Sequence, residues 1–240
     1  IVGLLTSQAY TQPARQIPLV RHKVSSVIEA SGFPPSSHDG KSLAHVLEHF
    51  PRDELLQMPV DQLKVWAAAI LDLELRPRVR VLTRPDRFDR FVSALVFVPR
   101  DRYSTTTRER IAAVLCEAFD GRVTSFMPYY SDGPLVRVHF IIGRNDTSSA
   151  AAPRIDLAPD VVEARVAEAV RSWEDRLAST ISDAGSPLSG TAERYATAFS
   201  AGYAETYSPA RALEDIRRIE RLGPCLLYTS PSPRDRTRSR

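Results

Sequence analysis

Glycine is scarce: ten in 240 residues, and no two of them stand two apart. That spacing excludes the G-x-G-x-x-G turn that seats a dinucleotide pyrophosphate after a strand. No phosphate loop is present, and no G-x-S-x-G elbow places a serine nucleophile. Cysteine is scarcer still. Cys116 and Cys225 are the whole complement, too few for a disulfide framework. Cys116 falls within a helical pattern and reads as a small buried apolar side chain. No apolar run reaches membrane-spanning length and no secretory signal is visible. A membrane partner is therefore not expected, and a cytoplasmic location is the default. The chain opens at Ile1, inside an apolar run and without a methionine, so it reads as a fragment of a longer protein.

An excess of one charge is also missing from the body of the chain. The net charge of +3 comes from residues 225–240, where Arg234, Arg236, Arg238 and Arg240 face only Asp235; elsewhere acidic and basic residues balance. The pI of about 9.0 therefore describes the tail. Arginines without interleaved aromatics make a poor nucleic-acid surface, and none is expected as a partner. The tail has no periodicity and an abrupt composition. It resembles translated adaptor sequence, and a disordered, non-native end is expected over 225–240.

What is present centres on residues 91–103. Phe91, Leu95 and Phe97 alternate with Val92, Ala94, Val96 and Val98. A strand apolar on both faces sits inside a sheet, covered on at least one side. Pro99 ends it, because proline cannot donate to a ladder. Residues 79–82 form a second strand, joined to the first by a turn at 85–89. Thr106 with Glu109 marks a capping box for a helix carrying Ile111, Val114, Leu115 and Ala118. Two more strands follow, at 123–127 and 135–142.

Before this block, residues 1–6 read as a strand. Helices are expected over 19–31, 41–50 and 62–73, the last with Asp61 as its cap. After it, 145–153 reads as a linker. Val162, Val166, Val170, Trp173, Leu177 and Ile181 then mark one long amphipathic helix. Residues 185–190 break the chain, and helices are expected within 191–207 and after Pro209. The order strand-strand-helix-strand-strand-helix predicts an α+β fold: a four-stranded antiparallel, rearranged ferredoxin-like sheet with helices on one face, flanked by helical segments. The division is 1–75 (strand plus helical segment, the end of a preceding domain), 76–184 (sheet domain), 185–224 (helical connector) and 225–240 (tail).

Candidate chemistry is thin. His45-Val-Leu-Glu-His49 matches an inverted zinc-protease pattern, with Glu48 as base. A third ligand would have to be Glu109 or Glu117, and nothing singles either out. Two partly exposed histidines flanking Val46, Leu47 and Phe50 is the favoured reading, and no metal is expected. Arg76, Arg78, Arg80, Arg84, Arg87, Arg90, Arg100 and Arg102 cluster within a short span. Such a row could meet an anionic effector or a partner's carboxylates, but a solvated sheet face is the commoner case.

The wording of the chain is more specific than its chemistry. Gly3-Leu-Leu-Thr-Ser-Gln-Ala-Tyr10, His38-Asp-Gly-Lys41, Phe50-Pro-Arg-Asp-Glu-Leu55, Arg76-Pro-Arg-Val-Arg80, Val98-Pro-Arg-Asp-Arg-Tyr103, Arg137-Val-His-Phe140, Arg171-Ser-Trp-Glu-Asp-Arg-Leu177 and Arg194-Tyr-Ala-Thr-Ala-Phe199 together resemble one family. It is the large bacterial NAD-specific glutamate dehydrogenase, and the resemblance covers residues 1 to about 222.

The resemblance implies a parent reaction, L-glutamate with NAD and water giving 2-oxoglutarate, ammonia and NADH. It also implies that this chain is an N-terminal regulatory and scaffolding fragment with an ACT-type sheet, the catalytic domain lying downstream. On that reading no catalytic residue, metal or cofactor belongs to this chain, and NAD belongs to the parent. The chain alone is expected to be inactive. Other domains and subunits of a homo-oligomer are the expected partners, met through the exposed sheet face and the 162–181 helix. The alternative is a free-standing amino-acid-binding ACT module with its effector near Pro85, Asp86, Arg87, Asp89 and Arg90. Asp89 stands where the family pattern carries a glycine, which counts against close approach of a ligand there.

Overall fold

A computed structural model describes residues 6–145, 157–184, 194–195 and 197–221. The strand expected at 1–6, most of the 145–153 linker, the break at 185–190 and the tail at 225–240 lie outside the described residues. Compact packing separates two units, Ile1–Val170 and Arg171–Arg240. No helix among the described residues is long and apolar enough to cross a membrane.

The first unit begins with helices: α1 (Gln8–Thr11), a 3-10 turn at Ala14–Gln16, α2 (Pro18–Ser31), α3 (His38–Glu48), α4 (Arg52–Gln57) and α5 (Val60–Leu75). Pro18 opens α2, where its missing N–H costs nothing, and Gly32 closes it in the left-handed conformation, φ 68°. That conformation is one only glycine adopts without strain. α3 starts three residues before the sequence expectation because the Ser37 hydroxyl accepts from Gly40 N at 3.0 Å. A side chain at Gly40 would meet the Pro34 carbonyl oxygen at 2.3 Å, so the cap and the glycine belong together. α5 takes in Asp61 as a first-turn residue instead of its cap; Pro59 is the boundary. Lys23 of α2 donates to the carbonyls of Leu55, Leu56 and Met58 at 2.8–2.9 Å, satisfying the end of α4.

The sheet follows: β1 (Arg80–Pro85), β2 (Phe91–Pro99), β3 (Gly121–Tyr130) and β4 (Leu135–Arg144), with α6 (Thr105–Ala118) and α7 (Pro159–Val170). Its order is β1-β2-β4-β3, every pair antiparallel. Moving β1 to the end of this order gives β-α-β-β-α-β with unchanged neighbours, which is the ferredoxin-like plan. The α+β expectation of a four-stranded antiparallel sheet with flanking helical segments therefore stands. Ser104, not Thr106, caps α6, accepting from Thr107 N at 3.1 Å.

On one face Val92, Ala94, Val96, Val98, Val136, Val138, Phe140 and Ile142 pack against α6 and α7. The other face is not the open surface the sequence suggested. Leu82, Leu95, Phe97 and Leu135 join the core of the preceding helices, beside Leu47, Phe50 and Trp66. Each such side chain contributes about 1.5–3 kcal/mol when fully removed from water. β3 has little of this cover: Phe126, Met127 and Tyr130 are exposed along that edge.

The second unit holds α8 (Trp173–Asp183), α9 (Ala201–Thr206) and α10 (Pro209–Arg221). Trp173, Leu177, Ile181, Ala212, Leu213 and Ile216 form its core. The continuous helix expected across 162–181 is two helices. Ser172 adopts extended backbone, its hydroxyl accepts from Asp175 N at 3.0 Å, and the Asp175 carboxylate accepts from Ser172 N at 3.3 Å. This reciprocal cap starts a new helix where the apolar period alone would have run straight on.

Candidate functional site

A buried polar cluster of the first unit lies between α4 and the sheet. Glu54 of α4 is 1% exposed and Arg84 of β1 is 7% exposed. Two parallel bonds join them: Arg84 Nε to Glu54 Oε2 at 2.7 Å and Arg84 Nη2 to Oε1 at 2.9 Å. Gln57 accepts a further bond from Arg84 Nη2 at 3.3 Å. Burial alone would raise the Glu54 pKa, but the polar contacts of His139 and Arg84 and the guanidinium charge bring it to about 2.

Ser93 of β2 and His139 of β4 complete the cluster. Ser93 Oγ lies 2.8 Å from His139 Nε2, and that same nitrogen lies 3.7 Å from Glu54 Oε1. Serine, histidine and glutamate together suggest a nucleophile with its base. The geometry says otherwise. An acid–base relay needs the carboxylate on the ring nitrogen opposite the one that serves the hydroxyl. Here one nitrogen faces both, Ser93 is fully buried, and the carboxylate is taken by Arg84. The cluster is a buried fastening between helix and sheet.

The hairpin turn at Pro85–Arg90 is held by its own charges. Arg90 Nε donates to Asp86 Oδ2 at 2.7 Å, which holds the Asp86 carboxyl below its ordinary range. Asp89 sits at φ 54°, the left-handed region that aspartate tolerates better than most residues, and accepts from Arg144 Nε at 3.1 Å. Aspartate thus takes up the backbone shape a glycine would supply. Arg87 is exposed and extends from the turn.

The arginine row dissolves into separate tasks. Arg78 pairs with Asp72 at 3.0 Å, and Arg80 pairs with Glu163 of α7 at 3.0 Å. Glu163 also accepts from Val81 N at 2.9 Å, fixing α7 to β1. Arg78 and its partner stay about half exposed, so this row is ion-paired while still in contact with solvent.

His45 and His49 do share a helical face, ring centroids 4.1 Å apart. Glu48, however, accepts from Ala14 N at 2.9 Å and from Arg52 Nη2 at 3.0 Å. Glu109 and Glu117 lie on α6 and pair with Arg108 and Arg165. Among the described residues no three His, Cys, Asp or Glu side chains converge as metal ligands. The sheet is antiparallel throughout, so it forms no crevice at the carboxyl ends of parallel strands.

The sequence reading missed Glu54, Arg84, Ser93 and His139 as a group. The signal available was a serine inside the otherwise apolar β2 and a histidine among the apolar residues of β4.

Three family descriptions match in sequence. They are "Glutamate dehydrogenase, helical motif 1" over residues 17–76, "Glutamate dehydrogenase, ACT2 domain" over 80–174 and "Glutamate dehydrogenase, helical motif 2" over 186–222. The NAD-specific glutamate dehydrogenase of Pseudomonas aeruginosa is 40% identical over 220 residues, 91% of this chain and 13% of that protein. Those of Halomonas elongata and Mycobacterium tuberculosis are 34% and 32% identical, each over 92% of this chain and 14% of their own length. The chain thus spans about one seventh of the relatives it matches. With the helices of the first motif, the sheet of the second and their order all accounted for, the chain matches part of the N-terminal region of NAD-specific glutamate dehydrogenases.

Proposed function

We propose that this chain serves as a regulatory and scaffolding part of an NAD-dependent glutamate dehydrogenase. The parent reaction is L-glutamate plus NAD and water to 2-oxoglutarate, ammonia and NADH. In this reading the chain contributes shape and contacts, and the parent's NAD and chemistry are handled by other residues. One observation supports it above the rest: the polar groups that looked chemical, Glu54, Arg84 and His139, are spent joining α4 to the sheet. A stiff block of helices and sheet suits transmission of contacts between domains and subunits of a cytoplasmic homo-oligomer. Division into 1–75, 76–184 and 185–224 belongs to the same proposal, and the matches at 17–76, 80–174 and 186–222 support it.

The second reading places an amino-acid effector at Pro85, Asp86, Arg87, Asp89 and Arg90. The Arg90 guanidinium, 67% exposed and 5.2 Å from the Phe88 ring, is what supports it. Purified residues 1–221 mixed with glutamate and NAD should produce no NADH absorbance. Turnover would refute the scaffolding reading.

A further inference from the structure

Between α3, α5 and the β3–β4 end of the sheet lies a cavity of about 290 Å³. Val46, Leu73 and Phe97 give it an apolar floor, while His45, His49 and Tyr129 line its polar side. Arg137 of β4 enters it. Its guanidinium stands 4.5 Å from the Tyr129 ring centroid, and its Nη2 donates to the His49 carbonyl at 2.8 Å. His49 in turn donates from Nδ1 to the His45 carbonyl at 3.0 Å, which leaves Nε2 as its remaining polar atom.

Arg137 differs from four inward arginines of this unit. Arg52, Arg80, Arg84 and Arg144 each meet a carboxylate within 3.1 Å. No carboxylate among the described residues pairs with Arg137. Burial pulls its pKa down to about 10, so it stays charged at neutral pH. A half-buried cation without a counter-ion is unfavourable, and a guanidinium presents five donors of which one is used here. The remaining fork matches a carboxylate.

We propose that this cavity binds a small monocarboxylate, its carboxylate on Arg137 and its short apolar body over Leu73 and Phe97. Two further residues of the lining, Glu74 and Asp132, are exposed carboxylates that disfavour a second negative charge on the ligand. The volume accommodates about ten heavy atoms, a small pocket by ligand-site standards. Because α3 and α5 form one wall and β2, β3 and β4 the other, occupancy draws helix and sheet layers together. The inference rests on the regulatory reading for its purpose only. Failure to bind would leave the scaffolding role standing, and glutamate turnover by the chain would remove that role and leave the pocket.

Titration calorimetry of the purified chain with butyrate, hexanoate and glutarate tests it, with thermal unfolding in each acid alongside. Butyrate or hexanoate should bind with Kd of about 1 mM or tighter and raise the melting temperature. Glutarate should bind more weakly. Arg137→Gln should lower affinity about tenfold or more, as loss of a charge-assisted pair requires. His45→Trp, which fills the mouth from an exposed helix position and leaves Arg137 intact, should do the same. The proposal is overturned if none of the acids binds, if both variants bind as the unaltered chain does, or if Arg90→Gln abolishes binding while Arg137→Gln does not.

Discussion

Glu54 and Arg84 form a two-bond ion pair in a place with almost no water. Glu54→Ala leaves a buried guanidinium unpaired, and denaturant unfolding at neutral pH should show a loss of about 3–5 kcal/mol. Replacing both residues together with leucine should cost much less, since no charge is then stranded. A double substitution as damaging as the single one would contradict this account. The folded pKa of about 2 lies below the ordinary 4.5. The Glu54 contribution is therefore fully present above pH 4.5 and disappears as pH falls toward 2. Glu54→Ala should flatten the stability profile across that window. Charged residues were the least legible part of the sequence. A row of arginines looks the same whether its members face solvent, an acid on a helix, or a ligand; for Arg80 and Arg84 the partner lies 83 and 30 positions away.

Elements were read better than residues, and for a physical reason. Alternation in β2 and the apolar spacing in α2, α3 and α6 are local signals that follow from backbone geometry. Boundaries failed where a side-chain cap overrode the period. Ser172 is the clear case: the apolar residues on either side continue in phase, yet the cap interrupts the helix. Ser172→Ala should remove about 1 kcal/mol from the first turn of α8. Hydrogen exchange should report this as faster exchange at the Asp175 amide, which the Ser172 hydroxyl now receives at 3.0 Å. Unchanged exchange there would mean that the helix starts for other reasons. Likewise β3 ran longer than its apolar stretch, because pairing to β4 from Gly121 to Tyr130 sets its length, not hydrophobicity.

At the level of the whole molecule, the two cores that hold the first unit lie entirely within its own residues, from Ala14 to Val170. A fragment ending at Val170 should therefore unfold in one cooperative step and keep its β-sheet circular dichroism. A molten spectrum would show that this unit lacks a sufficient core of its own. Fold class was legible because the strand and helix order admits few sheets. The cover on the second face of the sheet was not, because nothing in a strand's sequence says which distant helix will lie on it.

The position of β1 in the chain has a kinetic consequence. In the β-α-β-β-α-β order the equivalent edge strand comes last and must find a partner at the far end of the domain. Here Pro85 meets Val92 and Arg80 meets Phe97, so the pairing closes as a hairpin. Short closures cost little chain entropy and form early. Rearranging the chain order has turned a long-range search into a local one, and it gives the nascent sheet a seed before α6 and α7 have been synthesised.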